Sequence, residues 1–289
     1  MRWFDYLALI AIIIAATAPF VLGADALSEM PRRPAPQQFA EPYVDQPGAA
    51  EAEIIPTHPP ALQDVVPDLG LSVVREEYSG KPLTGSAFSI LADGTWLTAR
   101  HVVQDCRKLG LQLGKYTFPV SHHVLHPFAD IAILKTKAGI APFPFAARSA
   151  PPTTAYHIGF PKGRPGVVAG GFLGESTLWH KGRYNYRERV YVWAEKLRHP
   201  HWQGSLGGLS GGAVLDPDGR IIGVVQAESR RRGRIMTSMP ERVSEIAGYA
   251  AITLPAEEAP GTPILPEKFG ETGFSLIESY RIAKVLCAA

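Results

Sequence analysis

From Leu71 to Ser238 the chain is cut into short runs of β-branched and aromatic residues by Gly, Pro and Asp, and this punctuation restricts the fold more than any other feature. The runs Leu71–Arg75, Ser86–Leu91, Trp96–Thr98, Tyr116–Ser121 and Ile131–Lys135 precede the pair Pro151 and Pro152. Ala155–Gly159, Val167–Leu173, Val190–Ala194, Ala213–Leu215, Ile221–Gln226 and Arg234–Ser238 follow it. Segments of this length and composition favour strands. Two groups of about six predict an all-β fold of two small barrels. Only Pro240–Tyr249 has helical spacing in this region, with Val243, Ile246 and Ala247 at i, i+3 and i+4.

The flanks differ from this body. Residues 1–23 contain an uncharged apolar run, Tyr6 to Gly23, which directs export. A bilayer core needs about 20 apolar residues, so length leaves both a cleaved signal peptide and a retained transmembrane anchor open. Ala24-Asp25-Ala26 and Pro19 fit cleavage, whereas the long spacer that follows suits an anchor. Either route delivers the body outside the cytoplasm, to the periplasmic side of a bacterial membrane. Residues 24–67, in which eight prolines are closely spaced from Pro31 to Pro60 and Pro67 ends the stretch, form a semi-extended linker. Residues 68–250 make the folded domain. In 251–289, Pro255, Pro260, Pro263 and Pro266 mark a second linker, and Phe274–Leu286 has the spacing of a short amphipathic helix that docks back on the body.

A formal charge of +2 gives no broad basic field, which argues against nucleic acid as a partner. The local run Arg230, Arg231, Arg232 and Arg234 fits a solvated hairpin tip. Cys106 and Cys287 make an even count in an exported chain, which permits one disulfide or two unpaired thiols. His122, His123 and His126 cluster near Asp130 but lack a second ligand group of convincing metal spacing. No metal is expected.

The strongest chemical signal is Gly208-Leu209-Ser210-Gly211-Gly212-Ala213-Val214. Glycines around a serine let backbone amides approach a substrate carbonyl and converge on one oxygen. The same residues match the Gly-x-Ser-x-Gly elbow of α/β hydrolases, but that fold places its catalytic His after the serine. All nine histidines here lie between His58 and His201, before Ser210. The order His, Asp, Ser is the one that survives.

His101 lies in Leu97-Thr98-Ala99-Arg100-His101-Val102-Val103, and Asp130 opens Asp130-Ile131-Ala132-Ile133-Leu134. With the Ser210 segment, these resemble the three signature segments of trypsin-like, chymotrypsin-fold serine peptidases, especially the bacterial HtrA type. His157 to Gly163 is similar to a stretch of that family's second barrel. The resemblance spans about Leu71 to Tyr249.

The resemblance implies two perpendicular six-stranded antiparallel barrels with the site in the cleft between them. It makes Ser210 the nucleophile, His101 the general base and acid, Asp130 the group that orients His101, and the amides of Gly208 and Ser210 the oxyanion hole. Gly204, Ser205, Gln226 and Glu228 would line the substrate cleft, favouring small or apolar residues before the scissile bond. No cofactor is required. Leu209 stands where Asp or Asn is common, which removes activation by a new amino terminus. Gln226 replaces a small Ser or Thr near the carboxylate, and recruitment through the C-terminal PDZ domain of many HtrA-type enzymes is not expected. The implied function is a serine endopeptidase acting on exported or cell-envelope proteins. Asp105, close to His101 in sequence, is a rival for the orienting carboxylate that is set aside, and the alternative function is a catalytically silent protease-like binding module of the envelope, for which the departures at Leu209 and Gln226 and the unusual linkers leave room.

Overall fold

The computed structural model describes residues 66–75, 83–146, 150–182, 185–254 and 261–288. The apolar segment, nearly all of the first linker, Pro255 and Pro260 lie outside the described residues. Among the described residues, no helix is long and apolar enough to cross a membrane.

Among the described residues, fourteen strands carry the fold. The first half holds β1 (Asp68–Arg75), β2 (Leu83–Leu91), β3 (Thr95–Thr98), β4 (Lys108–Leu113), β5 (Tyr116–Pro119), β6 (His122–Leu125) and β7 (Ala132–Lys135). The second holds β8 (Thr154–Gly159), β9 (Gly166–Lys181), β10 (Tyr186–His199), β11 (Ala213–Leu215), β12 (Ile221–Ser229), β13 (Arg234–Ser238) and β14 (Ile282–Ala288). One helical turn, α1 (Arg100–Val103), follows β3, and two helices, α2 (Pro240–Tyr249) and α3 (Phe269–Glu278), follow β13.

Strands β8, β9, β10, β13, β12 and β11 close on themselves as a six-stranded antiparallel barrel, and β1 adds to the far end of β9 in parallel. The other sheet runs β5-β4-β14-β2-β3-β7-β6 and curls into a half-barrel. Its C-terminal strand is unexpected. A helix through Leu286 was the sequence expectation, but α3 stops at Glu278, and β14 inserts between β2 and β4. Burial follows the strand period there, with Ile282, Ala283, Val285 and Cys287 buried. The permitted disulfide forms, Cys106 to Cys287, with Cα atoms 5.3 Å apart.

One apolar cluster runs through both halves, from Phe88, Trp96, Leu97 and Leu134 to Tyr156, Ile158, Val243 and Leu276. A shared core fixes the sheets against one another and so fixes the cleft. The disulfide joins residues 181 apart. Replacing both cysteines by Ala should therefore lower the unfolding free energy by about 2–5 kcal/mol, measured by denaturant titration.

Candidate active site

His101 sits in the single turn α1, immediately after β3, so the pairing of β3 with β2 and β7 sets its position. Its side chain is partly open, whereas Asp130 is fully buried. Asp130 grips it twice: Oδ2 lies 2.6 Å from His101 Nδ1, and Oδ1 accepts the His101 backbone N–H at 2.8 Å. Nδ1 therefore carries the proton, which leaves Nε2 with the lone pair. Burial opposes the Asp130 charge, but the ring, the amide of His101 and the more distant His180 outweigh it and hold the carboxyl below the usual range. Asp130 is the carboxylate at His101 Nδ1.

Asp130 ends a tight loop. The His126 N–H bonds to the Ile131 carbonyl at 3.0 Å, and buried Arg100 donates Nη1 to the carbonyls of His126 (2.7 Å) and Pro127 (3.1 Å). The His126 ring is buried and lies 3.0 Å from Glu245 Oε2, while His122 and His123 are exposed on β6. These histidines thus serve different surroundings.

Ser210 comes to the same place from the closed barrel. Its carbonyl accepts the Ser86 N–H of β2 at 2.8 Å. Gly211, with φ +83°, brings the backbone so close that a Cβ there would lie 2.1 Å from the Ser86 carbonyl and 2.9 Å from the Ala99 nitrogen. Only glycine fits. The serine loop is thereby pressed against the main chain two residues before His101.

Two further bonds fix the direction of the neighbouring amides. The Gly207 carbonyl accepts the Lys162 N–H at 2.6 Å, and the Leu209 carbonyl accepts the Gly212 N–H at 2.8 Å. In a trans peptide the N–H points opposite to the C=O, so the amides of Gly208 and Ser210 point away from these anchors. Among the described residues neither amide has a backbone acceptor. The Ser86 hydroxyl completes the brace: it donates to the Gly208 carbonyl and accepts from the Phe160 N–H, both at 2.8 Å. Ser86 is a residue the sequence reading passed over. Its signal was its place in β2, one residue after the Gly85 that lets Val102 pack close.

Of the expected cleft residues, Gly204 and Glu228 line one pocket of about 510 Å³ with Arg198, Arg230, Arg231 and Arg234. Ser205 is tied to it, since its hydroxyl and the Leu206 N–H (2.8 Å) both donate to Glu228. Gln226 points elsewhere: it is buried, and its Nε2 lies 3.2 Å from both the Asp130 carbonyl and Glu188 Oε2.

The family model of the trypsin-like peptidase domain matches residues 85–224, a span that contains His101, Asp130 and Ser210. Residues 85–224 form a trypsin-like peptidase domain. No curated protein matches the chain significantly in sequence. Among solved structures, the active form of the Rv3671c protease from M. tuberculosis is 18% identical, covering 69% of this chain and 96% of its own, at a TM-score of 0.51. The inactive form of that protease is 22% identical over 58% of this chain and 83% of its own (TM-score 0.48). The HtrA-type protease AlgW, solved with a decapeptide, is 21% identical over 58% and 51% (TM-score 0.46). At such identities the likeness concerns the fold.

Proposed function

We propose that the chain is an extracytoplasmic endopeptidase that hydrolyses peptide bonds in proteins through an acyl-enzyme on Ser210. The observation that carries the reading is the doubly held His101–Asp130 pair beside a serine loop whose amides at 208 and 210 are both turned outward by anchored carbonyls. His101 Nε2 takes the Ser210 hydroxyl proton as Oγ attacks the substrate carbonyl, then returns it to the leaving amine. Water, deprotonated by the same nitrogen, releases the acid product. The two amides receive the charge that develops on the carbonyl oxygen, a contribution of about 3 kcal/mol per donor. Asp130 holds the ring and stabilises the imidazolium.

Placement outside the cytoplasm is supported by the uncharged apolar run Tyr6–Gly23 and by the Cys106–Cys287 bridge, which suits an oxidising compartment. If the run is retained it tethers the domain to the membrane. A peptide or protein is the substrate this chemistry requires, since the acyl group comes from a peptide carbonyl and the leaving group is an amine.

A fluorophosphonate probe tests the reading directly. The full chain should label at one site, and Ser210→Ala and His101→Ala should each abolish labelling. A folded wild type that never labels would overturn the endopeptidase and favour a protease-like binding module.

A further inference from the structure

Against the main chain of Asp130 lies a buried polar group that is not itself part of the His101, Asp130 and Ser210 set. It comes from the long β9–β10 hairpin. On β9, Ser176, Leu178 and His180 alternate inward, and on β10 Tyr186, Glu188 and Val190 do the same, while Arg187 and Arg189 point out. Two of these inward positions are ionisable. The side chains of His180 and Glu188 are 2% and 0% exposed, and His180 Nε2 lies 3.1 Å from Glu188 Oε1.

Glu188 reaches out of its own barrel to the loop of the other. Its Oε1 accepts the Asp130 backbone N–H at 2.8 Å. Gln226 Nε2 lies 3.2 Å from Glu188 Oε2 and 3.2 Å from the Asp130 carbonyl. The main chain of Asp130 is therefore held at both its N–H and its C=O by side chains of the closed barrel. Burying a carboxylate costs several kcal/mol unless donors compensate it. Here the Asp130 amide and Gln226 both donate to one carboxylate, with His180 Nε2 3.1 Å from it, an arrangement that uses its acceptor oxygens.

We propose that Glu188 is a positioning residue: from β10 it fixes the backbone of Asp130 and so sets the orientation and proton affinity of His101. The inference rests on the endopeptidase reading for its link to turnover, but not for its structural content. Other groups face the same site. His180 stacks on Tyr186 with ring centroids 4.4 Å apart, and the Arg100 guanidinium lies 5.2 Å from the Tyr186 ring. Asp130 repels Glu188 and His180 attracts it. Burial is the largest influence on Glu188 and pushes its pKa up, with His180 and the Asp130 amide pulling against it. Its charge is therefore conditional on these donors. A role confined to packing would tolerate an apolar isostere.

The test compares Glu188→Gln, which keeps an oxygen acceptor for the Asp130 N–H, with Glu188→Leu, which has none. Fluorophosphonate labelling of the full chain is followed from pH 5 to about pH 9, where the acid limb reports His101. Glu188→Leu should lower the plateau rate tenfold or more and move the His101 midpoint downward. Glu188→Gln should keep the plateau within threefold of wild type. Should Glu188→Leu fail to fold, Gln226→Met, which removes the grip on the Asp130 carbonyl, must lower the plateau and the midpoint in the same direction. A folded Glu188→Leu with wild-type rate and midpoint overturns the proposal, as does a Glu188→Gln as impaired as Glu188→Leu.

NMR titration of the His101 ring separates the two readings. If the wild type does not label, but the His101 midpoint still falls in Glu188→Leu, the endopeptidase reading fails and the positioning role stands. If the midpoint does not move, the positioning role fails whatever the activity.

Discussion

An Asp130→Asn chain is expected to hydrolyse peptides about ten-thousandfold more slowly than wild type at neutral pH. Both Asp130 oxygens are committed to His101, one to the ring and one to the backbone amide. An Asn amide can replace one acceptor but not both. With its NH₂ toward the ring it forces the opposite tautomer, so that Nε2 carries the proton and cannot accept one from Ser210. With its oxygen toward the ring it turns two donors against each other at His101 N–H. The imidazolium also loses its anion, so the His101 midpoint falls.

The same substitution has a stability signature. Asp130 has a folded-state pKa below its ordinary value of 3.8. Its contribution is present above that value and is lost as pH falls through the lower, folded one. Wild type should therefore lose stability between about pH 4 and the acid transition, and Asp130→Asn should lack that segment of the curve. Steady-state kcat on a fluorogenic protein substrate and Tm against pH measure the two effects. An Asn variant within tenfold of wild type would remove Asp130 from the proposed machinery.

What was legible in the sequence was local. His101, Asp130 and Ser210 each sit in a short segment whose neighbours constrain the backbone, and their order along the chain discriminated between folds. Gly211 and Gly208 were legible for the same reason: the positive φ and close approaches that require glycine are printed in the residue type itself. Strand β4 was missed because Gly110 and Gln112 dilute its alternation, and β6 because its histidines read as chemistry rather than structure.

Glu188 was illegible for a different reason. Arg187-Glu188-Arg189 looks like a solvated strand face, and burial of the middle residue depends on a loop 58 positions away. The available signal was phase: Glu188 alternates with Tyr186 and Val190, both apolar-bodied and inward. Gln226 was marked as a departure at the right place, but its partner could not be inferred without Glu188. The tail was misread because Ile282, Ala283, Val285 and Leu286 satisfy helical spacing almost as well as strand alternation over so short a run. Contacts with β2 and β4, about 170–200 residues earlier, decided it.

That tail carries the last expected result: a chain ending at Tyr280 should retain no stable first sheet and should label with a fluorophosphonate at least a hundredfold more slowly. β14 is an interior strand, paired from Ile282 to Cys287 with β2 and from Lys284 to Ala288 with β4. Without it, β4 and β5 lose their only connection to the rest of the sheet among the described residues. Burying each Val- or Ile-sized side chain contributes roughly 1.5–3 kcal/mol, and Ile282 and Val285 are lost together with the packing of Ala283 and Cys287. The disulfide goes too. The sum is comparable with the whole stability of a domain, about 5–15 kcal/mol. The effect should reach the site because the same β2 supplies Ser86, which holds the carbonyls of Gly208 and Ser210. Near-UV circular dichroism and limited proteolysis would follow the sheet, and labelling would follow the serine loop. Adding a peptide of residues 281–289 should restore both in part, because the vacant groove between β2 and β4 offers backbone partners on each side. A truncated chain with native dichroism and wild-type labelling would show instead that β2 and β4 close on each other without their C-terminal strand.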